Sequence, residues 1–260
     1  KLAEQKKQKK AKKQNLKALS PSEAEIKNLL QHYQNGQYGD AEKLAVSIIQ
    51  EFPKHQFAWK ALGVVLKQTG RISESLVACK KSVQLAPQDG QAQSNLGITL
   101  QELGRLEEAE ASFKQSIALN PGFAHAHYNL ANTLKGLGRL KEAESSFKQS
   151  IALKADFAEA HSNLGATLQE LGRLEEAEAN YRQAMALKPD YALAHSNLGV
   201  TLQELGRLEE SEAILRQAIA LEPALAEAHS NLGMTLNAMG SKESALKHFE
   251  INLQLKRGIN

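Results

Sequence analysis

Five asparagines recur in this sequence at a constant spacing of 34 residues, each directly before a leucine that is followed by glycine or alanine. A side-chain amide both donates and accepts hydrogen bonds, so it suits the N–H and C=O groups of a peptide backbone whatever the side chains are. The column indicates binding to an extended peptide, and it consists of Asn95, Asn129, Asn163, Asn197 and Asn231. The alternative is that each amide bonds within the protein or to water.

Further polar residues share the helix face of these asparagines by their spacing. Tyr128 directly precedes one asparagine and Asn132 follows it by three positions. Four others stand six positions after an asparagine, namely Gln101, Lys135, Gln169 and Gln203. This lining is neutral and polar, has few apolar anchors and changes little along the chain. It predicts a permissive groove that contacts the peptide backbone rather than a pocket for one side chain.

The remaining chemistry-bearing residues do not predict a metal site or an active site. His127, His161, His195 and His229 recur once per 34 residues and should lie about 10 Å apart if neighbouring helices pack at ordinary distances. Zinc needs every ligand nitrogen within about 2 Å of one ion, so packing is the favoured interpretation of these histidines. The recurring arginines beside Glu-Glu pairs fit surface ion pairs, and the glycines fit turns or close helix packing. We therefore expect no cofactor, no metal and no catalytic residue in this chain.

A 34-residue unit must position the asparagines, and residues 158–191 show its pattern. Leucines at spacings of three and four predict a first helix, which Gly172 ends because glycine adopts left-handed backbone at little steric cost. A second apolar period runs from Leu174 to Leu187, and Pro189 stops it. Neither helix buries its whole apolar face within the unit, so the units must stack. The period predicts repeats that start at residues 22, 56, 90, 124, 158, 192 and 226.

This unit resembles the tetratricopeptide repeat through Leu164-Gly165, Ala177, Tyr181, Ala184 and Pro189, with His161 in place of the usual first aromatic residue. The resemblance implies an all-α fold, a right-handed α-solenoid superhelix of seven helix-turn-helix repeats over residues 20–260. It also implies that the first helices line a concave groove, in which the asparagines form a ladder. Repeats about 10 Å apart and about 3.3 Å per extended residue give a grip on about 12 peptide residues. The sequence is also similar to the repeat segments that precede O-linked N-acetylglucosamine transferases.

Composition adds three expectations outside the ladder. Residues 1–17 carry eight lysines and one glutamate, so their net charge is +7 and the rest of the +3 chain sums to −4. We interpret residues 1–19 as a disordered or partly helical tail, with an anchor for nucleic acid or an acidic membrane as the alternative. The single cysteine, Cys79, fits a reducing compartment such as the cytoplasm. The last predicted helix carries Leu246, Phe249, Leu253 and Leu255, and we expect this apolar face to continue into another element or to self-associate.

Three functions remain open from the sequence. The first is a protein–protein interaction module that binds an extended peptide or protein segment through the asparagine ladder. The second is a substrate-selecting arm of a larger glycosyl- or sulfotransferase whose catalytic domain lies beyond this chain. The third is a structural assembly scaffold.

Overall fold

The computed structural model describes residues 20–258, so the Lys-rich tail lies outside the described residues. In the described range every regular element is an α-helix, and the prediction of an all-α repeat array is confirmed. The helices are α1 Glu23–Gln34, α2 Tyr38–Glu51, α3 Gln56–Gln68, α4 Ile72–Leu85, α5 Gly90–Glu102, α6 Leu106–Leu119, α7 Ala124–Gly136, α8 Leu140–Leu153, α9 Ala158–Glu170, α10 Leu174–Leu187, α11 Ala192–Glu204, α12 Leu208–Leu221, α13 Ala226–Ala238 and α14 Lys242–Arg257. Across residues 20–258, no helix combines the length and apolar character needed to span a membrane.

The chain forms two compact units, residues 20–122 with α1 to α6 and residues 123–258 with α7 to α14. In each unit the odd-numbered helix of a repeat packs against its even-numbered partner, which then packs against the first helix of the next repeat. Within each unit, the backbones of consecutive first helices also approach one another closely, whereas those of consecutive second helices in the described range do not. The first-helix face is therefore the more crowded, inner side of each unit.

The turn between the two helices of a repeat has a left-handed glycine at its centre. Gly172 has φ of 75°, a conformation that costs glycine little and other residues more. The N–H of Arg173 then donates to the C=O of Leu168 at 2.9 Å, and Gly172 N–H donates to Gln169 C=O at 2.9 Å. This Schellman arrangement satisfies carbonyls that the end of α9 would otherwise leave unpaired. It reverses the chain within a few residues and so fixes the helix pair.

Close packing inside a repeat depends on a second kind of glycine. A Cβ atom added to Gly165 of α9 would lie 2.9 Å from the ring of Tyr181 on α10. The tyrosine ring is 1% exposed, and Ala177 and Ala184 on the same helix are fully buried. Small residues therefore let the two helices approach until one aromatic ring fills the space between them.

Candidate functional site

The five ladder asparagines lie on first helices, Asn95 on α5 of the first unit and the others on α7, α9, α11 and α13 of the second. All five side chains are half-buried. The shared position does not give them a shared hydrogen-bond pattern, because some amides bond to the preceding repeat and others do not. Three patterns of side-chain bonding therefore have to be distinguished.

Asn163 and Asn231 are tied to neighbouring first helices. The Nδ2 group of Asn163 donates to the hydroxyl of Tyr128 at 3.0 Å and to Oδ1 of Asn132 at 2.9 Å. Both of its N–H donors are thus used, and only Oδ1 remains as an acceptor. Asn231 Nδ2 likewise donates to Ser196 Oγ at 3.1 Å. At these two positions the side-chain amide bonds within the protein, which is the alternative to binding a peptide.

Asn129 and Asn197 differ, since neither amide makes a side-chain hydrogen bond within residues 20–258. Only their backbone carbonyls are used, as acceptors for threonine hydroxyls one turn later. Ser162 has the same repeat position relative to Asn197 that Ser196 has relative to Asn231, yet its hydroxyl is 1% exposed and without a partner. Asn129 and Asn197 are therefore the rungs of the second unit whose side-chain donors and acceptors are all unused within the described residues.

The single ladder residue of the first unit shows a third pattern. Asn95 Oδ1 accepts a hydrogen bond from Gln91 Nε2 at 3.1 Å. The Nδ2 donors of Asn95 are not used within the described part of the chain. Gln101, one turn and a half later on the same helix, is half-buried. This rung therefore offers donors rather than acceptors.

The other predicted site residues mostly connect repeats to one another. Gln169 contacts three residues: its Oε1 accepts from Tyr181 at 3.3 Å and lies 3.1 Å from the hydroxyl oxygen of Thr201, and its Nε2 donates to Glu204 at 2.8 Å. Gln203 accepts from Thr235 at 3.1 Å. Lys135 forms an ion pair with Glu170 of the next repeat at 3.0 Å. These groups serve the stacking of repeats inside the second unit first, and the sequence pattern does not distinguish that role from ligand binding.

Tyr128 lies beside two phenylalanines. Its ring centroid is 4.7 Å from that of Phe157 and 5.9 Å from that of Phe147. Burial raises the pKa of its phenol, which is therefore neutral at pH 7 and keeps the hydroxyl proton. Tyr128, Asn132 and Asn163 thus form one polar cluster on the first-helix face, as their spacing predicted.

The expectation of few apolar anchors is wrong for the first unit. An apolar hollow of about 140 Å³ lies between α1, α3 and α5, lined by Leu29, Leu30, Tyr33, Phe57, Lys60, Ala61, Val64, Gln91 and Asn95. The sequence already showed this difference, because Lys27 and Ala61 occupy the ladder position in the first two repeats. Where the asparagine is missing, apolar side chains line the same face.

The recurrent histidines pack between helices, as the spacing argument favoured. His195 is 6% exposed, and its Nδ1 lies 3.0 Å from the carbonyl of Tyr191. His229 Nδ1 lies 3.0 Å from Nδ1 of His248, and its Nε2 lies 3.1 Å from the carbonyl of Pro223. A carbonyl only accepts, so His229 carries its proton on Nε2 and accepts from His248. Nowhere in residues 20–258 do three or more potential ligands gather around one metal position.

The arginines before the second helices form ion pairs, which confirms their interpretation. Arg173 bonds to Glu176 through Nε at 2.6 Å and to Glu144 of the preceding second helix at 2.8 Å. Arg207 repeats this arrangement with Glu210 at 2.6 Å and Glu178 at 2.6 Å. Each guanidinium thus joins two second helices on the side away from the ladder.

Three family models described as tetratricopeptide repeat match the chain, at residues 30–90, 100–168 and 156–224. Solved structures share the fold at low identity. The Cut9–Hcn1 hetero-tetramer of the APC/C is 20% identical with a TM-score of 0.73, and the match covers 87% of this chain and 45% of that one. YrrB, described as a TPR protein with an unusual peptide-binding site, is 22% identical with a TM-score of 0.56, covering 69% and 93%. MamA from Desulfovibrio magneticus RS-1 is 22% identical with a TM-score of 0.60, covering 65% and 96%. No curated protein matches the chain in sequence.

Proposed function

Because the chain belongs to the tetratricopeptide repeat family, we propose that it is a protein–protein interaction module that binds an extended peptide or protein segment along its first-helix face. YrrB, which has a similar fold, is described as having a peptide-binding site. We propose no catalytic role for this chain. In the second unit the ligand would contact the ladder on α7, α9, α11 and α13.

One observation carries this proposal. Asn129 and Asn197 hold half-buried amides without a protein partner, and the Ser162 hydroxyl beneath the Asn197 position is buried and unpaired. These two amides are free to bond to a ligand, and a peptide backbone offers the donors and acceptors that would pair with them. Asn163, held by Tyr128 and Asn132, presents a fixed acceptor between these two rungs.

The experiment separates the unused rungs from those that join repeats. A random heptapeptide library is selected against the whole chain, and individual peptides are measured by fluorescence anisotropy. The double variant Asn129→Ala with Asn197→Ala should weaken them by about 1–3 kcal/mol if each amide contributes about 0.5–1.5 kcal/mol. Asn120→Ala, an exposed residue at the end of α6, is the matched control. Equal affinities for double variant, control and parent chain would refute the ladder.

An assembly scaffold is a second candidate, favoured by the last helix. Leu246 is 60% exposed and Leu253 is 48% exposed on α14, while Oδ1 of Asn252 is buried without a partner. Exposed apolar groups of this kind mark interfaces. Self-association through this face would make the sedimentation coefficient rise with concentration, and Leu246→Glu should abolish that rise. A constant value for the parent chain would exclude self-association.

The remaining alternatives concern parts that the described residues do not reach. A role as the substrate-selecting arm of a transferase is tested by transfer activity in a longer protein that contains this chain. Salt-sensitive nucleic-acid or anionic-vesicle binding that is lost on deletion of residues 1–19 would support the electrostatic anchor. We propose a reducing compartment such as the cytoplasm because Cys79, the single cysteine of the sequence, cannot form an internal disulfide.

A further inference from the structure

The apolar hollow of the first unit lies beside Asn95, the ladder residue of the same unit. We call it the Val64 pocket and define it by Leu30, Tyr33, Phe57, Ala61 and Val64, with Asn95 on its rim. A second hollow of about 110 Å³ adjoins it and shares Tyr33, Val64 and Asn95. A ladder amide and an apolar cavity thus lie side by side within one unit.

The size of the cavity matches one large side chain. A volume of about 140 Å³ is close to that of an apolar cavity of about 150 Å³ that accepts benzene. Leu30 on its wall is 41% exposed, so apolar surface is in contact with water in the free protein. A bulky aliphatic or aromatic side chain that enters the pocket would remove this surface from water, which is favourable.

The charge of the lining distinguishes among occupants. Lys60 lines the Val64 pocket and Lys67 lines the adjoining hollow, whereas no carboxylate lines either one. The Nζ group of Lys60 donates to Oδ2 of Asp89 at 2.7 Å, and Nζ of Lys67 lies 3.6 Å from Oε1 of Glu102. An ammonium group has three donors, so both lysines retain capacity for an acceptor or an acid on the ligand.

We propose that the Val64 pocket binds a bulky apolar side chain of a peptide that carries Asp or Glu within two residues of it. Asn95 Nδ2 donates to a peptide carbonyl, since Oδ1 of this amide is already bonded to Gln91. The inference rests on the proposed peptide-binding function and deepens it. Specificity for a side chain would come from the Val64 pocket within the first unit.

An exposed valine of the same unit supplies a control for the pocket. Val77 lies on α4, the second helix of its repeat, and is 66% exposed. Val64→Trp fills the pocket, and Ala61→Leu fills part of it with less steric demand. Circular dichroism and thermal melting identify which of the two variants folds as the parent chain does, and that variant is used.

A random heptapeptide library is selected for binding to the whole chain, and the retained peptides are sequenced. We expect enrichment of Leu, Ile, Phe or Met at one position with Asp or Glu nearby. Peptides of this class should bind Val64→Trp at least about 10-fold more weakly and Val77→Trp as they bind the parent chain. Lys67→Gln should reduce the preference for acidic neighbours and keep the preference for the apolar residue.

Six results would overturn the inference. The first is selection without an apolar preference, and the second is equal binding of parent and pocket-filling variants. Loss of peptide affinity in the Asn129→Ala, Asn197→Ala double variant but not in the pocket variant would refute the pocket alone and leave the peptide-binding function standing. Recovery of no binding peptide at all would refute both. A change of sedimentation in pocket variants without ligand, or tighter peptide binding after deletion of residues 1–19, would identify a second copy or the chain's own tail as the occupant.

Discussion

Replacing Asn163 by alanine removes two hydrogen bonds between consecutive first helices. Its Nδ2 group donates to Tyr128 at 3.0 Å and to Asn132 at 2.9 Å. Each such bond contributes about 0.5–1.5 kcal/mol net, so we expect Asn163→Ala to lower the free energy of unfolding by about 1–3 kcal/mol. Asn197, one repeat later, makes no side-chain bond in the described range, and Asn197→Ala should stay within about 0.5 kcal/mol of the parent chain.

The comparison of the two variants cancels the helix propensity effect. Alanine is favoured over asparagine in a helix interior by up to about 0.7 kcal/mol, and this gain applies equally at both positions. Stacked repeats need not unfold in one step, so a local measurement is appropriate. Amide hydrogen exchange in α7 and α9 should accelerate in Asn163→Ala and remain near the parent rate in Asn197→Ala. Equal exchange rates in the two variants would show that the bonds of Asn163 do not stabilise the contact between first helices.

Two further predictions concern packing and pH. Gly165→Ala places a Cβ 2.9 Å from the Tyr181 ring and should lower the free energy of unfolding, measured by chemical denaturation, by about 1–3 kcal/mol. Gly39→Ala has open space around the new Cβ and should be neutral or stabilising. Equal effects of the two substitutions would contradict the packing argument. Burial, His229 and Arg216 hold the pKa of His248 below its ordinary value of 6.5. The folded state therefore binds fewer protons than the unfolded state. The free energy of unfolding should fall as pH drops through about 6.5 and level off below the lowered pKa. Thermal melting should show a smaller fall in His248→Asn, which places at this position the residue found at the equivalent Asn180; an identical pH profile would rule His248 out.

Much of the fold could be predicted because the information is local and repeated. Leucines at helical spacing, Gly172 and Pro189 define each helix and its end by backbone conformation alone. The same 34-residue spacing then indicates that the helices come in pairs that stack. His161 illustrates the tolerance of this code, because a histidine at the aromatic position still packs between helices.

The candidate site was predictable only as a set of positions. The spacing placed five asparagines on one helix face, but Asn163 and Asn197 look identical in sequence and differ in their bonding. Gln169 likewise shares its column with Gln101, and only its contacts with Thr201 and Glu204 of the next repeat show that it joins repeats. The Val64 pocket followed from a departure from the column rather than from the column itself.

The sequence by itself determined the helices, their ends, the repeat and the face on which the amides lie, since each depends on residues close together along the chain. Only the tertiary structure decided which amides are used, because a donor of Asn163 and its acceptors Tyr128 and Asn132 lie more than 30 residues apart. It also decided that the first unit carries an apolar cavity, since a hollow forms only where side chains of three helices leave space among them. A hydrogen bond and a cavity are properties of distances in space, and those distances arise when one repeat stacks on the next.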